Sequence, residues 1–209
     1  MSRPLVVTDC DEVLLHMVAH FREYLGEEHG VDFNVEGGSF ARAMRYRTSG
    51  EVLPDEEMWR LLNLFFDTEM HRQKPIAGAV EAMTQLAEHA DVVVLTNLLD
   101  HRAEVRAAQL AGHGIDARVF TNQGPKGPAL KKIVEEFRPS RVAFIDDLAV
   151  HHQSAREVVP HAVRLHLCGE ALMAPNIDCA HRAGHADARI DRWDEALPWL
   201  LERLHGENA

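Results

Sequence analysis

Residues 5–14 read LVVTDCDEVL, an apolar run of strand length that ends in Asp9 and Asp11 with one residue between them. Alternate residues of a strand share a face, so both carboxylates leave the same end of one element. Taken alone, the pair also suits a capping turn before a helix. The rest of the chain decides between a cap and a working site.

Four further short apolar runs follow: DVVVLTN (91–97), ARVFTN (117–122), RVAFID (141–146) and HAVRLHL (161–167). They are rich in Val and lack polar alternation, as strands covered on both faces do. Between them, GAVEAMTQLAEHA (78–90) and RAEVRAAQLAGHG (102–114) place apolar residues at helical spacing, and GPALKKIVEEF (127–137) and RWDEALPWLLERL (192–204) do the same. Strands alternating with helices predict an α/β fold with a doubly wound parallel sheet. The alternation breaks from 15 to 75, which predicts two or three helices, a Gly-rich turn at Gly37 and Gly38, and no Val-rich strand. The expected division is an α/β core of residues 1–14 and 76–209 around a small helical insert, 15–75.

The chain of 209 residues is 46% apolar and 26% charged, a globular balance, with no run of about 18 apolar residues that would span a membrane. The opening MSRPLVVTDCDE has neither the basic region nor the apolar core of a secretory signal. Three cysteines, Cys10, Cys168 and Cys179, form no disulfide framework. A soluble cytoplasmic protein is expected. A net charge of −11 sets the whole molecule's field against nucleic-acid phosphates, and fourteen histidines make that charge sensitive to pH near 6–7.

In open parallel sheets the ligand crevice lies beyond the carboxyl ends of the strands. Here those ends carry Asp9 and Asp11, Thr96 and Asn97, and Asp146 and Asp147, with Lys126 in the loop NQGPKGP after the third strand. Crowded carboxylates raise one another's pKa unless a cation sits among them. Mg²⁺ suits such a site, because it takes oxygen ligands and keeps positions for water and phosphate. Thr96, Asn97 and Lys126 supply the donors and the fixed charge that a phosphoryl group needs. A carboxylate so placed can attack phosphorus, and a second one two residues on can move the proton.

Four motifs in order, DCDEV (9–13), VVVLTN (92–97), GPK (124–126) and FIDD (144–147), resemble those of the haloacid dehalogenase-like (HAD) hydrolase superfamily. The resemblance covers the whole chain, with a Rossmann-like core and a cap inserted after the first motif. It implies Asp9 as nucleophile and metal ligand, and Asp11 as general acid and base with its backbone carbonyl on the metal. It implies Thr96, Asn97 and Lys126 at the phosphoryl oxygens, and Asp147 and Asp146 as further ligands of Mg²⁺. Dehalogenase members lack the second aspartate, so Asp11 favours phosphoryl transfer. Many relatives carry Gly and Thr where this chain has Glu12 and Val13. Glu12 orients water, meets a cationic substrate or points to solvent, and the sequence leaves these open.

The expected function is a Mg²⁺-dependent phosphatase acting on a small phosphorylated metabolite through an aspartyl phosphate. Phosphomutase uses the same residues. A dehalogenase-like hydrolase is opposed by Asp11, and a phospho-acceptor resembling a receiver domain by the order of the motifs; a catalytically dead binding protein is opposed by the complete motif set. In the insert, ARAMRYR gathers Arg42, Arg45, Tyr46 and Arg47; on a helix Arg42 would share a face with Arg45 and with Tyr46, where they would meet a second anionic group of the substrate or pair with surface acids. MWRLLNLFF (58–66) reads as the insert's own core. Cys168, Cys179, His181 and His185 lack the paired CxxC spacing of a zinc site and read as a loop before a last short strand. His151 and His152 fall on the first turn of a helix after the fourth motif, where one of them would orient substrate or a water near the metal; they read first as ordinary surface histidines, and oligomeric state is not legible.

Overall fold

The valine-rich runs become strands because their side chains are buried on both sides of one sheet. The structure, a computed structural model, describes residues 2–35 and 40–206. Strand β1 (Leu5–Thr8) lies between β4 (Asp91–Thr96) and β6 (Val142–Asp146), and the six-stranded sheet runs β5-β4-β1-β6-β7-β8, with β5 (Arg118–Thr121), β7 (Val163–His166) and β8 (Ala188–Arg189) completing it. Every neighbouring pair in it is parallel. On β1, Val6 enters one apolar cluster with Leu86, Leu110 and Trp193, while Leu5 and Val7 enter another with Leu130, Ile133 and Phe144. Burying each such side chain contributes roughly 1.5–3 kcal/mol, so β1 has no face left for water.

Helices α3 (Ala79–His89), α4 (Ala103–Gly112) and α7 (Trp193–His205) cover the first face, and α5 (Gly127–Phe137) and α6 (Ala149–Val158) the second. The doubly wound parallel sheet expected from the sequence is therefore present. Among the described residues no helix is long and apolar enough to cross a membrane.

Between β1 and α3 the chain builds a third apolar cluster, apart from the two on the faces of the sheet. Helices α1 (Val18–Glu28) and α2 (Asp55–Thr68) pack Phe21, Leu25, Leu61 and Phe65 against Met44 and Leu53, all of them buried. Met44 belongs to an antiparallel hairpin of β2 (Val31–Phe33) and β3 (Met44–Tyr46). The sequence reading anticipated helices here. The condition under which Arg42 would share a face with Arg45 and with Tyr46, a helix, is not met: a 3₁₀ turn covers Phe40–Arg42, and Arg45 and Tyr46 are successive residues of β3. The hairpin wins because pairing Phe33 with Met44 sinks both into the cluster, and strand alternation then turns Arg45 outward. The turn expected at Gly37 and Gly38 lies outside the described residues.

Candidate active site

Three strand ends converge. Asp9 continues β1 and donates its backbone N–H to the Ile145 carbonyl at 2.8 Å, which sets it level with Asp146 at the end of β6. Lys126 stands at the start of α5. Its Nζ lies 2.7 Å from Asp9 Oδ1 and 2.7 Å from Asp146 Oδ2, and the lysine is fully buried. Asp146 also accepts the Leu148 N–H at 2.9 Å. Asp9, Asp146 and Asp147 place carboxylate oxygens within 4.8 Å of one another, and all three are buried.

The next residue explains how Lys126 is held. A Cβ on Gly127 would lie 2.3 Å from the Ser154 carbonyl oxygen and 2.5 Å from its Oγ. Only glycine lets α5 approach α6 this closely, and the Gly127 N–H donates to Ser154 Oγ at 3.0 Å.

Three carboxylates and one ammonium leave two negative charges uncompensated in a buried site. Burial pushes Asp9 up to about 7, with Lys126 pulling it down and Asp146 and Asp11 adding to the rise. Burial, with Asp146 and Asp9, holds Asp147 well above the ordinary carboxylate range. Burial would raise Asp146 as well, yet Lys126, His151 and His152 outweigh it and its pKa falls below the usual value. Lys126 stays protonated, because Asp146 and Asp9 overcome the burial that would strip its proton. The donor set is all oxygen, strongly acidic and short of positive charge, which fits a divalent hard cation such as Mg²⁺.

Thr96, at the end of β4, is buried with its Oγ1 unpartnered, a group that costs free energy until an acceptor or donor reaches it. The Asn97 amide donates to the Gly124 carbonyl at 3.1 Å and approaches His151 Nε2 at 3.4 Å. It thus ties the end of β4 to the loop that carries Lys126. His151 and His152 are buried rather than on the surface, because α6 turns its first helical turn inward beneath Asp146. His152 Nε2 sits 2.9 Å from the Asp146 carbonyl.

Asp11 stands outside the carboxylate group. It accepts from Gln73 Nε2 at 2.7 Å and from Arg106 Nη2 at 3.1 Å. Arg106 is fully buried on α4 and also donates to Cys10 Sγ at 3.1 Å. Neither Gln73 nor Arg106 was anticipated. The available signal was a charge one helical turn before Leu110, on the buried face of α4.

Glu12 does not point to solvent. It is 3% exposed and its φ of 62° is left-handed, a region costly to any residue with a Cβ. Its backbone is fixed by N–H donation to Leu15 O at 2.8 Å and by acceptance from the Gly169 N–H at 2.7 Å. Oε1 accepts the N–H groups of Met17 at 2.8 Å and Val18 at 2.6 Å, which caps α1, whereas Oε2 is buried without a partner. Burial raises the Glu12 carboxyl to about 8 against those two hydrogen bonds.

The remaining candidates do not join this cluster. Arg42 and Arg45 are exposed, and Arg45 donates to the Gly50 carbonyl. Arg47 pairs with Asp32 at 2.9 Å. Cys168, Cys179, His181 and His185 form no metal-sized group among the described residues.

No family model matches the sequence, and no curated protein matches it either. Solved structures do. A HAD family hydrolase of Deinococcus radiodurans, with bound phosphate and sodium, is 18% identical, with 96% of this chain and 95% of that one covered at a TM-score of 0.66. A haloacid dehalogenase-like family protein of Streptococcus pneumoniae is 14% identical over 94% and 97%, at 0.63. An L-2-haloacid dehalogenase is 12% identical over 95% and 99%, at 0.60. The chain has the fold of the haloacid dehalogenase-like hydrolases over at least 94% of its length.

Proposed function

We propose that the chain is a Mg²⁺-dependent phosphatase that hydrolyses a small phosphorylated metabolite through a phosphorylated Asp9. The observation that carries this reading is the buried Lys126 bridging Asp9 and Asp146 at 2.7 Å each, with Asp147 in the same group. A phosphate and a cation bound on the same fold in the Deinococcus hydrolase support it.

Asp9, Asp146 and Asp147 would hold Mg²⁺, which when bound screens the phosphoryl charge and the carboxylates from one another. Lys126 and the unpartnered Thr96 hydroxyl bind phosphoryl oxygens, and Asn97 braces the loop between them. An Asp9 carboxylate oxygen forms a bond to phosphorus as the bond to the leaving oxygen breaks, and Asp11 gives that oxygen a proton. Asp11 then takes a proton from water, whose oxygen attacks phosphorus and releases Asp9 and inorganic phosphate. For this, Asp11 turns from Gln73 and Arg106 toward the leaving oxygen. Residues 15–75 act as a cap that shields the site from bulk water. Asp11 also supports an ester substrate over a haloacid, since an alkoxide must be protonated as it leaves. The net charge of −11 supports a small-molecule substrate over a nucleic acid, and the unpaired cysteines support a cytoplasmic setting.

The test is turnover of a generic aryl phosphate. Wild type should release phosphate with Mg²⁺ and not in chelator, and Asp9→Asn should lose activity by about a thousandfold or more. Metal-independent turnover, or an active Asp9→Asn enzyme, overturns the proposal.

A further inference from the structure

Beside Asp147 a cavity of ≈ 500 Å³ opens between the core and the inserted segment. Its walls are chiefly apolar: Met17, Val18, Val35 and Phe40 from the insert, and Leu148, Val150, Met173 and Ile177 from the core. Its polar lining is Glu12, Asp147, Asn176 and Asp178, and among the described residues no Lys, Arg or His lines it. Lys126 is already engaged by Asp9 and Asp146. Leu148 and Val150, 40% and 53% exposed, place apolar surface at the mouth.

Glu12 is the unusual wall. A side-chain carboxyl is held in a left-handed residue, with one oxygen spent on the start of α1 and the other, Oε2, buried with no partner. Capping alone would need one oxygen, and a buried acceptor left unmet costs about 1–3 kcal/mol. A ligand group that donates to Oε2 removes that cost. Among the described residues the charged groups of the lining are all acidic, so an ammonium is favoured there over an anion.

Resting on the phosphatase reading above, we infer that this cavity takes the leaving group of the substrate, and that Glu12 selects a leaving group bearing an ammonium on an apolar frame. The substrate class is then the phosphate monoester of an amino alcohol. The insert's exposed arginines, which would favour a second anion, line no part of this cavity.

Calorimetry with uncleavable probes tests this without turnover. Wild type, loaded with Mg²⁺, is titrated with an ω-aminoalkyl phosphonate and with the alkyl phosphonate of the same length. The ammonium-bearing probe should bind at least about tenfold more tightly, as a hydrogen bond to a charged group commonly provides. Glu12→Gln keeps an oxygen for the α1 cap and should reduce the ratio to near one. Glu12→Gly, relaxed at positive φ, should do the same if the amide variant folds poorly. Equal affinities in wild type, a preference surviving in both variants, or no binding of either probe overturns the inference. Failure of the phosphatase reading shows separately, as aryl phosphate turnover that does not need Asp9.

Discussion

Asp9→Asn should change how stability responds to pH, and the effect can be sized. A carboxyl raised from 3.8 to about 7 by folding binds its proton more tightly in the folded than in the unfolded chain. On raising pH from about 4, the unfolded state ionises first, so stability falls until about pH 7 and is level above it. At roughly 1.4 kcal/mol per pH unit the full cost is ~4 kcal/mol. Sharing of the charge among Asp9, Asp146 and Lys126 reduces what one substitution recovers to about 2 kcal/mol. For a chain of this size that is ~4–8 °C in Tm. Thermal denaturation in chelator, from about pH 4 to about pH 8, should therefore show the variant gaining on wild type by this amount as pH rises. Mg²⁺ at neutral pH should raise the Tm of wild type far more than that of the variant, because the stabilising cation loses a ligand. Parallel pH curves for the two proteins in chelator would refute the reasoning, since Asp9 would then carry no buried charging cost.

Two further outcomes follow from the surrounding packing. Arg106→Leu leaves Asp11 and Cys10 without their buried partner and should lower stability by about 3 kcal/mol, read as a fall in urea midpoint at unchanged slope; loss below about 0.5 kcal/mol would mean that the pair is incidental. Gly127→Ala forces α5 from Ser154 on α6 and should cost ~1–3 kcal/mol by overpacking. It should also reduce kcat by more than about tenfold through displacement of Lys126, and an alanine variant with wild-type kcat would separate that contact from the site.

The sheet could be read from the chain because each central strand is a Val-rich run with two buried faces, and such runs resemble little else. That Asp9, Asp146 and Asp147 share one rim was legible for a related reason, since residues that end buried parallel strands have one shared place to go; Lys126, at the start of α5, was legible only from its place in the order of the motifs. The β2–β3 hairpin was not legible: its strands are three residues long, too short for a period to register, and their pairing depends on burial against the flanking helices α1 and α2. Arg106 was missed because an arginine in a helix is ordinarily solvated, and its burial follows from Asp11 and Cys10 almost a hundred residues earlier. Glu12 drew attention as a departure from the glycine of the motif it resembles, and its φ of 62° is one that glycine adopts without strain. Its buried orientation could come only from the three-dimensional contacts with α1 and Gly169.

The most direct measurement of the central claim is chemical trapping of the intermediate. Enzyme turning over an aryl phosphate with Mg²⁺ is quenched in acid, reduced with borohydride and sequenced by mass spectrometry. Phosphorylation of the nucleophile predicts homoserine at position 9, dependent on both substrate and Mg²⁺. Aspartate intact at position 9 in enzyme quenched during turnover, or homoserine at position 11, 146 or 147 instead, would contradict the account.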